Sequence, residues 1–315
     1  MNTNIITLNQ YLNEYFIKFE VIKIIGYKQL LINKNNRRFN HKKVILILIL
    51  ISLGSVILSG GVSAATISNN QTNDSSQFNN CHNPYHISIF DSSIGGNVLS
   101  NTAITQYISR TDLSNKIFNM TNQGSIILKF GNGNGPKVLI CAGVHGNEPQ
   151  ANIAIMQYIE FIKDKNFNGT LYIIPFAIPQ DTALNTRYYN GSDPNRIANI
   201  NGTPGWKIVQ FAKNHGINYL IDVHSGGGVD ANGFIYINSK STNNEKKLVS
   251  YIVSKTNCST GVEDTDDPGM IRYSAHQYGI NSITLETERD NIPVMDAVNA
   301  EYKMIHAGTK YLGFP

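Results

Sequence analysis

The stretch VLICAGVHGNEP, positions 138–149, constrains this chain more than any other. An apolar run of strand length ends in Ala142 and Gly143, His145 and Glu148 follow three residues apart, and Pro149 stands where a helix opens. A buried strand, a tight turn and a helix in that order belong to an α/β sheet. Side chains just beyond the carboxyl end of such a strand sit at the lip of the sheet, where open α/β folds build their sites. Imidazole and carboxylate are donors that suit Zn2+, and a catalytic zinc commonly takes three protein ligands and keeps a fourth position open. His-x-x-Glu alone also serves surface and capping roles, so the rest of the chain has to decide.

The pattern around this stretch alternates. SIILKF (125–130) and KVLICAG (137–143) read as strands joined by a hairpin-type turn, GNGNGP. A turn is expected there over a phosphate loop, because Pro and a strand follow the glycines and no helix does. Residues 149–163 read as a helix, with Ile153, Met156 and Ile159 near helical spacing. Strands at 171–178, 218–224, 233–238 and 281–288 alternate with helices at 206–214, 243–255, 269–278 and 293–312. Residues 180–204 form a loop rich in Asn, Gly, Asp and Pro, and 86–120 read as a strand or two with a helix around 103–109. Such alternation predicts a single α/β domain over 85–315, with a mixed, mostly parallel sheet flanked by helices.

The N-terminal part is of another kind. Residues 44–59, VILILILISLGSVILS, carry no charge, follow Arg37, Arg38, Lys42 and Lys43, and precede a small-residue stretch ending in Ala64 and Ala65. A basic region, an apolar run and a Val-x-Ala or Ser-x-Ala site predict a signal peptide. A membrane anchor is the other reading, although the run falls short of the ~20 residues that a spanning helix needs. Residues 1–43 make a doubtful N-terminal extension, 44–65 the signal peptide or anchor, and 66–84 a polar linker. Secretion, or display outside the membrane on an anchor at 44–59, is the expected localisation.

The charge follows this division. The chain has 26 Lys/Arg and 22 Asp/Glu. Residues 1–65 hold eight of the former and two of the latter, which leaves 18 and 20, a net charge of −2, for the rest. Nucleic-acid binding, which wants a clustered basic face, is not expected. Membrane contact is expected only through the N-terminal apolar segment. Cys141 reads as a small buried hydrophobe, and Cys81 and Cys258 are free to pair in an exported protein.

Three more fragments carry chemistry. His224 ends a strand, and Asp222, two residues earlier, shares its face and can support it as a ligand. Glu286 ends the apolar Ile283-Thr284-Leu285, at a low-dielectric edge where a carboxyl pKa rises towards that of a general base. Glu288 competes with it on the same face. The loop NTRYYNGSDPNR brings Arg187, Asn195 and Arg196, and arginine offers a rigid fork for a carboxylate or a carbonyl. Taken alone, His224 also fits a satisfied structural histidine, and the others fit solvated or strand-edge polar groups.

Together, HGNE, an arginine loop closing in Asp-x-Asn-Arg, Asp-x-His-Ser and Thr-Leu-Glu resemble the zinc carboxypeptidase superfamily over about residues 124–315. The short spacing from His145 to His224 resembles its succinylglutamate desuccinylase/aspartoacylase-like branch. The resemblance implies a phosphorylase/hydrolase-like fold and one Zn2+ held by His145, Glu148 and His224. It implies that Glu286 takes the proton from the zinc-bound water and that Arg187 polarises the scissile carbonyl. Asn195 and Arg196 would hold the substrate's carboxylate. The sequence departs from the family in carrying Asp-Pro-Asn-Arg for Asp-Leu-Asn-Arg, and no substrate-covering tyrosine is evident. Tyr273 is the candidate, beside Arg272, which reads either as a second carboxylate contact or as a solvated helix residue. The expected activity is cleavage of an amide bond next to a free carboxylate, in peptides, cell-wall peptides included, or in N-acyl amino acids. The alternative is a surface-anchored, non-catalytic binding module on the same scaffold.

Overall fold

The computed structural model describes residues 85–262 and 266–315. The apolar run 44–59, the polar stretch 66–84 and Cys81 lie outside the described residues. No described helix is long and apolar enough to cross a membrane. Cys258 carries a buried free thiol.

The elements run β1 (Tyr85–Asp91), α1 (Thr102–Tyr107), α2 (Asp112–Thr121), β2 (Ser125–Phe130), β3 (Lys137–Ala142), α3 (Pro149–Ile162), β4 (Thr170–Ile174), α4 (Pro179–Leu184), α5 (Pro204–Asn214), β5 (Tyr219–Gly226), β6 (Phe234–Ile237), α6 (Asn243–Thr256), β7 (Ser259–Val262), α7 (Ile271–His276), β8 (Asn281–Glu288) and α8 (Val294–Tyr311). One sheet orders them β1-β2-β4-β3-β5-β8-β6-β7. The middle four, β4, β3, β5 and β8, are parallel, and antiparallel strands join on both sides. The expected mixed, mostly parallel α/β sheet is therefore present.

Alternation along the strands sorts side chains onto two faces. Val138, Ile140, Ile221, Val223, Ile283 and Leu285 join the larger core with residues of α3, α6 and α8. Leu139, Cys141 and Leu220 point the other way, into a second core with Ile208 and Val209 of α5 and Ile271 of α7. On β5 and β8 this second face continues as Asp222, His224, Thr284 and Glu286, and the hydrophobic face changes there into a polar one. β3 leads to β4 on one side and pairs with β5 on the other, so the chain reverses direction of winding at β3 and opens a crevice at the carboxyl ends of β3 and β5.

The structure corrects some expectations and adds elements beyond others. GNGNGP does not close a hairpin, because β4 inserts between β2 and β3. The connection instead crosses the start of β4, where Gly131 (φ 87°) lies so close to Gly169 that a Cβ would meet its carbonyl oxygen at 2.4 Å. Residues 86–120 hold the edge strand β1 and a second helix, α2, whose N-terminus is closed by Thr111 and Ser114 in a reciprocal capping box. The strand expected to reach 178 stops at Ile174, and Pro179 opens α4 inside what reads as a loop. β7 was not expected from the sequence and adds the far edge.

Gly146 is required for a reason other than torsion. A Cβ there would meet the backbone carbon and oxygen of Asp181 at 2.0 Å, so α4 packs directly on the His145–Glu148 turn. Gly146→Ala is expected to lower stability by about 1–3 kcal/mol through overpacking against main chain. A denaturant midpoint that falls with an unchanged slope checks this.

Candidate metal centre and active site

The turn after β3 begins at Gly143, whose φ of 75° is readily available only to glycine. It delivers His145 and then Glu148, the residue that caps α3. Parallel pairing with β5 brings His224 alongside, and the β5–β8 register sets Glu286 directly opposite His224. His145, Glu148 and His224 are 2–3% exposed, and one donor atom from each lies within 4.8 Å of the others.

The orientation of the two rings is decisive. His145 turns Nδ1 to Glu148 Oε1 at 2.8 Å and Nε2 to Asp193 Oδ1 at 2.8 Å. His224 turns Nδ1 to Glu148 Oε2 at 2.9 Å and Nε2 to Asp222 Oδ2 at 2.9 Å. A neutral ring has one proton for its two carboxylate contacts; with that proton on Nε2, donating to Asp193 or Asp222, each Nδ1 presents a lone pair to Glu148. Lone pairs facing a buried carboxylate require a positive charge between them, either a proton on each ring or one metal ion. With protons, burial pushes both imidazoles down but the carboxylates around them push further up, above the ordinary histidine value. Burial likewise raises Glu148, and the two rings outweigh it and hold the carboxylate well below its usual range. Two imidazole nitrogens and a carboxylate, each ring oriented by a second carboxylate, are a donor set that fits Zn2+.

A cavity of about 240 Å3 opens over this cluster, lined by Arg187, Asn195, Arg196, Tyr236 and Glu286 among others. Burial, and then the charge of Glu148, raise the Glu286 carboxyl to about 8. Arg187 Nε and Nη2 donate to Asp193 Oδ2 at 3.1 and 2.9 Å, which turns Nη1 to Glu148 Oε1 at 3.1 Å. Asn195 is buried, its Oδ1 accepting from Ile271 N–H at 2.9 Å and its Nδ2 lying 3.3 Å from His224 Nε2. Arg196 donates to the Asn195 carbonyl and stands 3.6 Å from Asp267.

The structure thus brings seven of the eight sequence-derived site residues to one cavity. Tyr273 is not among the lining residues; it sits half-buried on α7, and Tyr236 of β6, paired with Thr284, occupies the wall instead. Arg272 is neither solvated nor in the cavity lining: it is 1% exposed and donates to Asn238 Oδ1. Glu288, the rival of Glu286, accepts the backbone N–H groups of Gly228, Val229, Asp290 and Asn291 and clips two loops together. Those donors hold its pKa below the ordinary value. Asp193 was missed from sequence. It binds His145 and Arg187 at once, and its signal was a carboxylate two residues before Asn195, in a loop that already carried the arginines.

The fold is a carboxypeptidase-like α/β fold, and the site gathers a His-Glu-His donor set that could hold one metal ion. Residues 134–290 match the family model of the succinylglutamate desuccinylase/aspartoacylase catalytic domain. The match covers the segment of the chain that builds the site. Among solved structures, the succinylglutamate desuccinylase/aspartoacylase from Rhodobacter sphaeroides is similar at 19% identity and a TM-score of 0.50, covering 66% of this chain and 65% of its own. The metallo-carboxypeptidase from Burkholderia cenocepacia is similar at 15% identity and a TM-score of 0.50, covering 72% and 65%. The chain therefore spans somewhat less than two thirds of each. No match was found among curated proteins.

Two predictions follow from the geometry. Asp193→Ala removes the acceptor of His145 Nε2 and is expected to weaken zinc binding about 10–100-fold, measured by competition with a chromophoric chelator. Glu286 is half-buried and retains its proton up to about pH 8 in the folded protein, whereas the unfolded chain releases it near the ordinary carboxylate value. Stability contributed by this group is therefore lost as pH rises between those two values. In metal-free protein, Glu286→Gln is expected to leave the melting temperature unchanged at pH 4 and to raise it at pH 8. Equal shifts at both pH values would contradict this.

Proposed function

We propose that the protein is an exported zinc-dependent hydrolase that cleaves an amide bond next to a free carboxylate. The observation that carries this reading is the convergence on one cavity of a His-Glu-His donor set, a carboxyl whose pKa is raised to about 8, and two guanidinium groups. The match of residues 134–290 to the desuccinylase/aspartoacylase catalytic domain supports the same chemistry.

When bound, the zinc supplies a Lewis acid for the scissile carbonyl and lowers the pKa of a water towards ~7. Glu286 takes the proton of the attacking water and hands it to the departing amine, a role that needs a carboxyl pKa near the working pH. Asp193 grips Arg187 by two of its donors and leaves Nη1 turned to the site, where it stabilises charge on the carbonyl oxygen. Arg196 binds the substrate's free carboxylate, and Asn195 Nδ2 assists. With Nε2–H of His224 donating to Asp222, that nitrogen cannot accept from Asn195, which leaves the amide's donors available to a substrate.

Export rests on the basic-then-apolar leader at 37–65. It favours substrates found outside the cytoplasm, peptides and cell-wall peptide stems, over the catabolism of free acyl amino acids.

Zinc-loaded protein incubated with a panel of peptides and N-acyl amino acids is expected to release one carboxylate-bearing amino acid, identified by mass spectrometry. Glu286→Gln should lower the rate by about 10²–10⁴, and a chelator should abolish it until zinc is restored. Stoichiometric zinc without turnover of any amide in the panel would favour a non-catalytic binding module.

A further inference from the structure

Asp222 is fully buried on β5, and the charge that it carries has to be met inside the protein. Its Oδ2 takes the Nε2–H of His224 at 2.9 Å. Its Oδ1 lies 3.3 Å from Cys141 Sγ, the other side-chain hydrogen-bond partner found for it among the described residues. The placement follows from the sheet: β3 and β5 are parallel neighbours, Cys141 stands directly opposite Asp222, and both point to the face that carries His224. The thiol has one proton and two acceptors in reach, Asp222 Oδ1 at 3.3 Å and the Ile221 carbonyl at 3.9 Å. The nearer, charged oxygen takes it.

We propose that Cys141 is a positioning residue for the metal centre: by donating its thiol proton to Asp222 Oδ1, it leaves Oδ2 for His224 and holds the ring with Nδ1 towards Glu148. The proposal rests on the reading of His145, Glu148 and His224 as metal ligands. The thiol acts one residue further out than the carboxylate that orients the ligand. Without it, a buried carboxylate oxygen is left with no side-chain donor among the described residues, and Asp222 meets that cost by turning. That change loosens the hydrogen bond that fixes the tautomer and direction of His224. A sulfur suits the 3.3 Å separation, and a serine hydroxyl keeps the donor with a shorter reach.

The test compares Cys141→Ser, Cys141→Ala and Cys141→Val, each also with Asp222→Asn, by zinc affinity in chelator competition and by the melting temperature of metal-free protein. Cys141→Ala and Cys141→Val are expected to lose on the order of tenfold in affinity, and Cys141→Ser is expected to recover most of it. In the Asp222→Asn background, Cys141→Ala should cost no further affinity. Val fills the space without a donor, which separates donation from packing. Native affinity in Cys141→Val, a serine variant as weak as alanine, or an undiminished loss in the Asp222→Asn background would each overturn the proposal. A native protein that binds no zinc would overturn the metal-centre reading itself, and this proposal with it.

Discussion

Two imidazole nitrogens aimed at the two oxygens of one buried carboxylate are the contact on which the rest of the site depends. Glu148 Oε1 and Oε2 each receive a ring Nδ1 at under 3 Å, and both rings have already committed Nε2 to another carboxylate. Three carboxylates around two imidazoles leave a net negative charge in a region that is almost free of solvent. Arg187 offsets part of this charge from one side, and a cation between the rings offsets the rest. A bound zinc and a pair of imidazoliums are the two solutions, and the second gives way as pH rises. The cluster is therefore suited to a cation, and its neighbours are arranged accordingly. Asp193 and Asp222 orient the rings, the Ser225 N–H supports Glu148 Oε2 at 3.1 Å, and Arg187 faces Oε1.

The scaffold makes this affordable by dividing labour between the faces of one sheet. On one face, Val138, Ile140, Val223 and Leu285 anchor β3, β5 and β8 against α3 and α8. On the other, the same strands run from apolar Leu139 and Leu220 to polar Asp222, His224 and Glu286 within a few residues. Rigid strands set the ligands, and backbone that only glycine serves well completes the turn: Gly143 for its left-handed φ, Gly146 for the approach of α4. Glu288 performs a structural counterpart of the Glu286 role. Two residues further along, it leaves the cavity and ties the loops that form the cavity rim.

Much of this was legible in the chain. Periodicity and the strand–turn–helix stretch at 138–149 marked the central strands, and strand-end position singled out His224 and Glu286, because a carboxyl end in a parallel sheet is a location in space as well as in sequence. Asp222 was legible for the same reason, since residues two apart share a strand face. The sheet order was not, because insertion of β4 between β2 and β3 is a tertiary choice that GNGNGP does not encode. Asp193 escaped because its partner, His145, is 48 residues away and the loop between them has no periodicity. Tyr236 escaped because it lies on a short strand whose pairing with β8 decides which side of it faces the cavity. Arg272 misled because a charged side chain on a short helix ordinarily reads as solvated, and burial against Asn238 is visible only in three dimensions.

The most direct test of the metal centre is anomalous diffraction at the zinc edge from crystals of the zinc-loaded protein. A single strong peak bounded by the Nδ1 atoms of His145 and His224 and by the Glu148 carboxylate, with both Nε2 atoms still on Asp193 and Asp222, is the expected result. Zinc bound elsewhere, or rings that present Nε2 to Glu148, would contradict it.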